Sequence, residues 1–211
     1  MERVRQGFSA VLAGMLIGMG GTVFLSQANP VVGSFLFAIG LFTILAFQLH
    51  LYTGKIGYLP LQQPEYLIEL AITWVGNLVG TGITAMLVKY SRIGVGLIER
   101  VTPIVEIKMA DGFRSIFFLS IFCGMLMFIA ADTYRNLQGS TLRAIGVFVP
   151  VMVFILSGFE HSIANMFYFG ASGIINMDSI IYLAVVIAGN SVGGMAMPIL
   201  NILGKGEPKN A

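Results

Sequence analysis

The run Ile145–Phe169 reads IGVFVPVMVFILSGFEHSIANMFYF. It is apolar and long enough to cross a bilayer, since about 20 residues at 1.5 Å rise span roughly 30 Å of hydrocarbon. Yet Gly158, Phe159, Glu160 and His161 interrupt it. A charge at mid-membrane costs roughly 2.5–3.5 kcal/mol on insertion scales, so Glu160 and His161 are expected to face protein or a watery path. Gly158 frees the backbone where a helix breaks. The backbone groups released there are tolerable only inside protein or beside a cavity. Two readings stand: a buried Glu–His pair that fixes helix packing, and a polar site on a transport route. The cost of the charge favours the second, because cheaper packing residues exist.

The rest of the chain places this run in a membrane. Of 211 residues, 56% are hydrophobic and only 10% charged, against about 25% charged in an ordinary soluble domain. That is too few charges to coat a water-facing surface. A net charge of +2 gives no nucleic-acid footprint. One cysteine, Cys123, excludes an internal disulfide framework and a multi-cysteine metal site. No cofactor or metal site is expected. No cleavable leader is expected either, because no cleavage motif and polar domain follow Gly7–Leu25.

Six spans are expected: Gly7–Ala28, Val32–Leu51, Tyr66–Val88, Gly112–Ala131, Thr141–Phe169 and Ser179–Leu203. Turn signals separate them at Asn29–Pro30, Pro60–Pro64 and Ala131–Ser140. Lys89–Asp111, with charges of both signs, reads as a long connector or surface helix. With the N-terminus inside, the inner side receives Arg3, Arg5, Lys55, Arg135, Arg143, Lys205 and Lys209. The outer positives, Lys89, Arg92, Arg100, Lys108 and Arg114, gather in one connector diluted by acids. This bias points to both termini on the cytoplasmic side of the cytoplasmic (inner) membrane.

The chain also looks duplicated. GNLVG (Gly76–Gly80) and GNSVGG (Gly189–Gly194) stand in the third and sixth spans, their asparagines 113 positions apart. Glycines four apart let helix backbones approach closely in lipid. LHLYTGK (Leu49–Lys55) and FEHSIAN (Phe159–Asn165) each put polar residues into apolar sequence at an offset of 110. Two three-span halves, about 1–90 and 108–205 of a single 1–211 domain, must be mutually inverted. That plan is common in transport proteins with discontinuous helices. In the first half, His50 and Lys55 have a second reading, as markers of the aqueous end of a span.

GFEHSIANMFY (Gly158–Tyr168) resembles, nearly letter for letter, the signature of the formate/nitrite transporter family. LYTGK, GNLVG and GNSVGG support the likeness, which covers essentially the whole chain. The resemblance implies an all-α membrane protein, an aquaporin-like bundle of six transmembrane helices with the second and fifth broken, assembled as a homopentamer with one pore per protomer. It implies transport of small monovalent anions such as formate, nitrite or hydrosulfide together with protons, and no enzymatic activity. By matched position, His161 is the central pore histidine and Thr53 the threonine facing it. Lys108 is the outer-vestibule lysine, in a relay with Glu160 and Asn165. Phe37, Leu41, Tyr52 and Phe154 fall at or near the apolar constrictions. Arg5 stands for the inner-vestibule lysine. The first half departs from the pattern, with His50 where the family has an acid and Lys55 where it has asparagine. Gly124, after Cys123, replaces another asparagine.

A free anion cannot cross an apolar constriction without a desolvation cost of several kcal/mol. A weak acid escapes this, because its proton affinity rises in low dielectric and it can cross neutral. His161 either donates that proton or stays neutral and hydrogen-bonds the solute; both readings stand. The vestibule cations are expected to concentrate the anion, and Lys108 is expected to contribute field and not packing. The rival reading is an aquaporin-like channel for a small neutral solute. It calls for paired Asn-Pro-Ala motifs or two midplane histidines, and neither is evident.

Overall fold

The computed structural model describes residues 1–205; Lys209 and the rest of 206–211 lie outside the described residues. Every regular element described is helical. In chain order these are α1 (Glu2–Ser26), α2 (Pro30–Ala46), α3 (Tyr52–Lys55), a 3-10 segment (Ile56–Leu61), α4 (Tyr66–Lys89), α5 (Gly94–Ala110), α6 (Phe113–Asn136), α7 (Ser140–Leu156), α8 (Ser162–Ser172) and α9 (Met177–Lys205). Four helices, α1, α4, α6 and α9, are long and apolar enough to cross a membrane by length and composition. The apolar α2 and α7 are shorter, and each stops at a break.

The four long helices and the shorter α2 and α7 are predominantly apolar, the composition of membrane spans, whereas α5 carries charges of both signs. Phe8, Val75, Met86, Phe118, Phe122 and Leu200 are exposed, while Thr53, Asn77, Ser120, Glu160, His161 and Asn190 are buried. The Asn29–Pro30 turn is a helix start: the Asn29 side chain accepts the N–H groups of Val31 and Val32, and Pro30 occupies the first turn, where no donor is needed. The expected connector is largely helical, as α5, and Arg100 ties it to α1 by donating to the Leu25 carbonyl at 2.8 Å.

α1 packs on α4 as α6 packs on α9, and α2 meets α7 across the middle. Glycine makes the two long pairings possible. A Cβ on Gly80 would strike the Val11 carbonyl oxygen, and one on Gly193 would strike that of Ile121. Gly124 has the same cause: a Cβ there would run into the Asn190 backbone, so an asparagine has no room.

Candidate functional site

Both short apolar helices end in the same turn. Leu49 N–H donates to the Ile44 carbonyl at 2.8 Å and Phe159 N–H to that of Phe154 at 2.9 Å, 110 positions on. The turn needs a left-handed residue: Gly158 takes it at φ 69°, and in the first half Gln48 takes it at φ 54°.

One asparagine closes each break. Asn77 accepts the Tyr52 N–H at 2.9 Å and donates to the carbonyls of Ala10 (2.8 Å) and His50 (2.9 Å). Asn190 accepts the Ser162 N–H at 2.8 Å and donates to the carbonyls of Ser120 (2.8 Å) and Glu160 (2.7 Å). All three partners match at the 110 offset. The backbone groups freed by each break are thus held by a buried amide, as a low-dielectric interior demands. Sequence reasoning took these asparagines as marks of duplication and missed the clamp. The available signal was a polar amide flanked by glycines inside an apolar helix.

The breaks bring His161 and Thr53 together. Thr53 Oγ1 and His161 Nε2 are 3.1 Å apart, and both residues are almost wholly buried. His161 also caps α8, its Nδ1 accepting the Ala164 N–H at 3.1 Å. Nδ1 therefore carries a lone pair, and in the neutral ring Nε2 holds the hydrogen and donates it to Thr53. Phe154 stacks on the imidazole, centroids 5.4 Å apart, and Phe37 meets Phe154 edge-on at 5.9 Å. Phe37 and Leu41 are fully packed. Tyr52 turns to α9, its hydroxyl 2.9 Å from Ser191 Oγ.

Glu160 points away from this pair. Its carboxylate accepts Lys108 Nζ at 2.7 and 2.6 Å and Asn165 Nδ2 at 2.7 Å. Lys108 is therefore one half of a nearly buried ion pair, whose attraction offsets the cost of dehydrating both charges. Lys108, Glu160 and Asn165, expected to form one relay, are thus joined by hydrogen bonds, and the ion pair ties α5 to the second break, a packing part that the sequence reading did not give Lys108. A funnel of about 170 Å³ runs from Phe24, Ile104 and Lys108 down to Phe154 and His161.

At the other end the polar residues are rearranged. His50 occupies the position equivalent to Glu160, and Lys55 that of Asn165. The carboxylate comes instead from α4: Glu69 Oε1 contacts Lys55 Nζ directly and lies 3.7 Å from His50 Nε2. His50 Nδ1 is 2.9 Å from Ser9 Oγ. Glu69 was not singled out from sequence, where an acid near the start of a span reads as an interface residue. Two cavities of about 560 Å³ each meet at His50. Arg3 and Arg5 of α1 line one, with Glu69; Lys55, Arg135 and Arg143 line the other. Arg5 shares a cavity with His50 and Glu69, with no side-chain hydrogen bond to either among the described residues. These cations mark the N-terminal face of the molecule, and Arg92, Arg100 and Lys108 lie at the opposite, connector face.

The family model described as formate/nitrite transporter matches residues 1–203. The nitrite transporter NirC of Escherichia coli (strain K12) is 30% identical over 182 residues, covering 78% of this chain and 67% of that protein. Among solved structures, an FNT family ion channel superposes with a TM-score of 0.86 at 24% identity, covering 97% of this chain and 91% of the other. A pentameric formate channel with formate bound gives 0.78 at 22%, covering 94% and 95%.

Proposed function

The chain belongs to the formate/nitrite transporter family, an integral-membrane family of transporters and channels and not of enzymes, and on that premise we propose that it conducts small monovalent anions of weak acids, of the formate, nitrite and hydrosulfide class, together with protons. The observation that carries this reading is the buried Thr53–His161 pair where the two helix breaks meet, open to a funnel from the connector face. The six-span, inverted three-plus-three plan belongs to the same reading: α2 with α3 and α7 with α8 form the broken second and fifth spans. The matched asparagine clamps support it. So does the homopentamer, by likeness to the pentameric formate channel. The N-terminal face, with its arginines, is taken as cytoplasmic.

In this mechanism the anion collects at the cationic N-terminal mouth, loses water as it nears Phe37, Leu41 and Phe154, and takes up a proton from the water of the mouth as the dielectric falls. It then passes the Thr53–His161 pair as the neutral acid. His161 remains neutral and serves as a hydrogen-bonding group, because protonating Nδ1 would expel the Ala164 N–H and uncap α8. The test is stopped-flow flux of formate, nitrite and hydrosulfide into proteoliposomes at several pH values. Flux that rises as pH falls supports the reading. Passage of glycerol or ammonia with no anion flux would show a neutral-solute channel instead.

A further inference from the structure

We propose that Arg135 and Arg143 form an anion-binding station at the N-terminal mouth of the pore, selective for small planar oxyanions and without a counterpart in the connector-face funnel. The inference rests on the reading of the chain as an anion conduit and adds a site and a shape preference to it.

Arg135 closes α6 and Arg143 opens α7, so the α6–α7 turn brings both into the 560 Å³ cavity that also touches His50 and Lys55. Among the described residues no carboxylate lines that cavity. Lys55 is already matched by Glu69, which approaches from the other side of His50. The nearest acid along α6, Asp132, is engaged by the Tyr58 hydroxyl at 3.1 Å and by Asn136 Nδ2 at 2.8 Å. Among the described residues neither arginine has a carboxylate within ion-pair distance. Both are nonetheless held in place. The Arg135 guanidinium lies 4.6 Å from the centroid of the Tyr58 ring, and that of Arg143 lies 5.8 Å from the centroid of Tyr134. Arg143 Nε donates to the Leu137 carbonyl at 2.8 Å.

With Arg143 Nε spent on Leu137, the paired Nη groups at the tip of each guanidinium remain, and that fork matches the two oxygens of a carboxylate or nitrite-like anion. A monatomic or S–H anion gains the charge but not the second hydrogen bond. Among the described residues the connector-face funnel offers no counterpart, because its cation, Lys108, has its charge matched by Glu160 and presents no planar fork. The two mouths therefore differ in affinity.

The experiment measures equilibrium formate binding to the detergent-solubilised protein by calorimetry, and concentration-dependent formate and hydrosulfide flux in proteoliposomes. The proteins are wild type, R135Q/R143Q and R135K/R143K. The glutamine variant is expected to lose formate affinity about tenfold, the scale of one charge-assisted hydrogen bond, and to raise half-saturating formate similarly. Its hydrosulfide half-saturation should move by less than half as much. The lysine variant should restore salt-sensitive attraction for both anions but not the preference for formate. Unchanged formate binding in R135Q/R143Q overturns the proposal, as does an equal loss for both anions that lysine fully repairs. A wild-type protein that binds formate through these arginines but passes no anion would sink the conduit reading and leave the station standing.

Discussion

Three residues show how pairing changes what a side chain does. Lys108 and Glu160 are one unit, so Lys108→Ala strands a buried carboxylate and is expected to destabilise the protein by about 3–5 kcal/mol. K108A/E160Q should recover most of that loss, because glutamine needs no counter-charge. Thermal unfolding in detergent measures both; equal destabilisation in the single and double variants would refute the coupling. His161 has two tasks, capping α8 and meeting Thr53. Asparagine is a good helix cap, so His161→Asn should assemble normally and keep the pH profile of flux at a lower rate. His161→Phe should block flux. A profile displaced in His161→Asn would show that the ring titrates during transport.

At the scale of elements, each break depends on its asparagine. Asn77→Ala and Asn190→Ala each strip a break of the partner for one N–H and one carbonyl, those of Tyr52 and His50 or of Ser162 and Glu160. Each unsatisfied buried group costs about 1–3 kcal/mol. Both variants should therefore melt far below wild type and to a similar extent; a tolerant Asn77→Ala would show that the first break is held by other contacts. The turns themselves differ. Gln48 adopts a left-handed conformation that costs a side-chain-bearing residue about 1–2 kcal/mol, whereas Gly158 adopts it freely. Gln48→Gly should raise the melting temperature, and Gly158→Ala should lower it.

For the whole molecule, the outward-facing apolar side chains of all four long helices need lipid or neighbouring protomers. The proposed homopentamer is expected in native mass spectrometry from mild detergent, and a stable monomer at all concentrations would contradict it. Salt gives a second handle at this scale. If the N-terminal mouth carries the uncompensated charge, raising ionic strength should weaken formate capture at that face far more than at the connector face. Vesicles of known orientation separate the two.

The membrane class, the six apolar stretches and the interruptions at Leu49–Lys55 and Phe159–Asn165 were legible in the sequence alone. Hydropathy and span length are local quantities, and a charge inside an apolar run stands out without any knowledge of its neighbours. Gly158–Tyr168 likewise announced the family by its letters. The pairing of Lys108 with Glu160 came only through the family resemblance, and that of Lys55 with Glu69 was not legible at all, because such pairing depends on contacts between residues far apart. Lys108 and Glu160 are 52 positions apart, and Glu69 reaches Lys55 from a different helix. Only the folded chain shows that Glu69 matches Lys55 and that Asn77 and Asn190 clamp the breaks. It also places Gln48 at a glycine's position and leaves Arg135 and Arg143 facing a cavity lined by no carboxylate among the described residues. Local pattern determines where a segment sits between water and lipid. Which polar groups are left over once the helices are packed is decided by the tertiary contacts that satisfy the others.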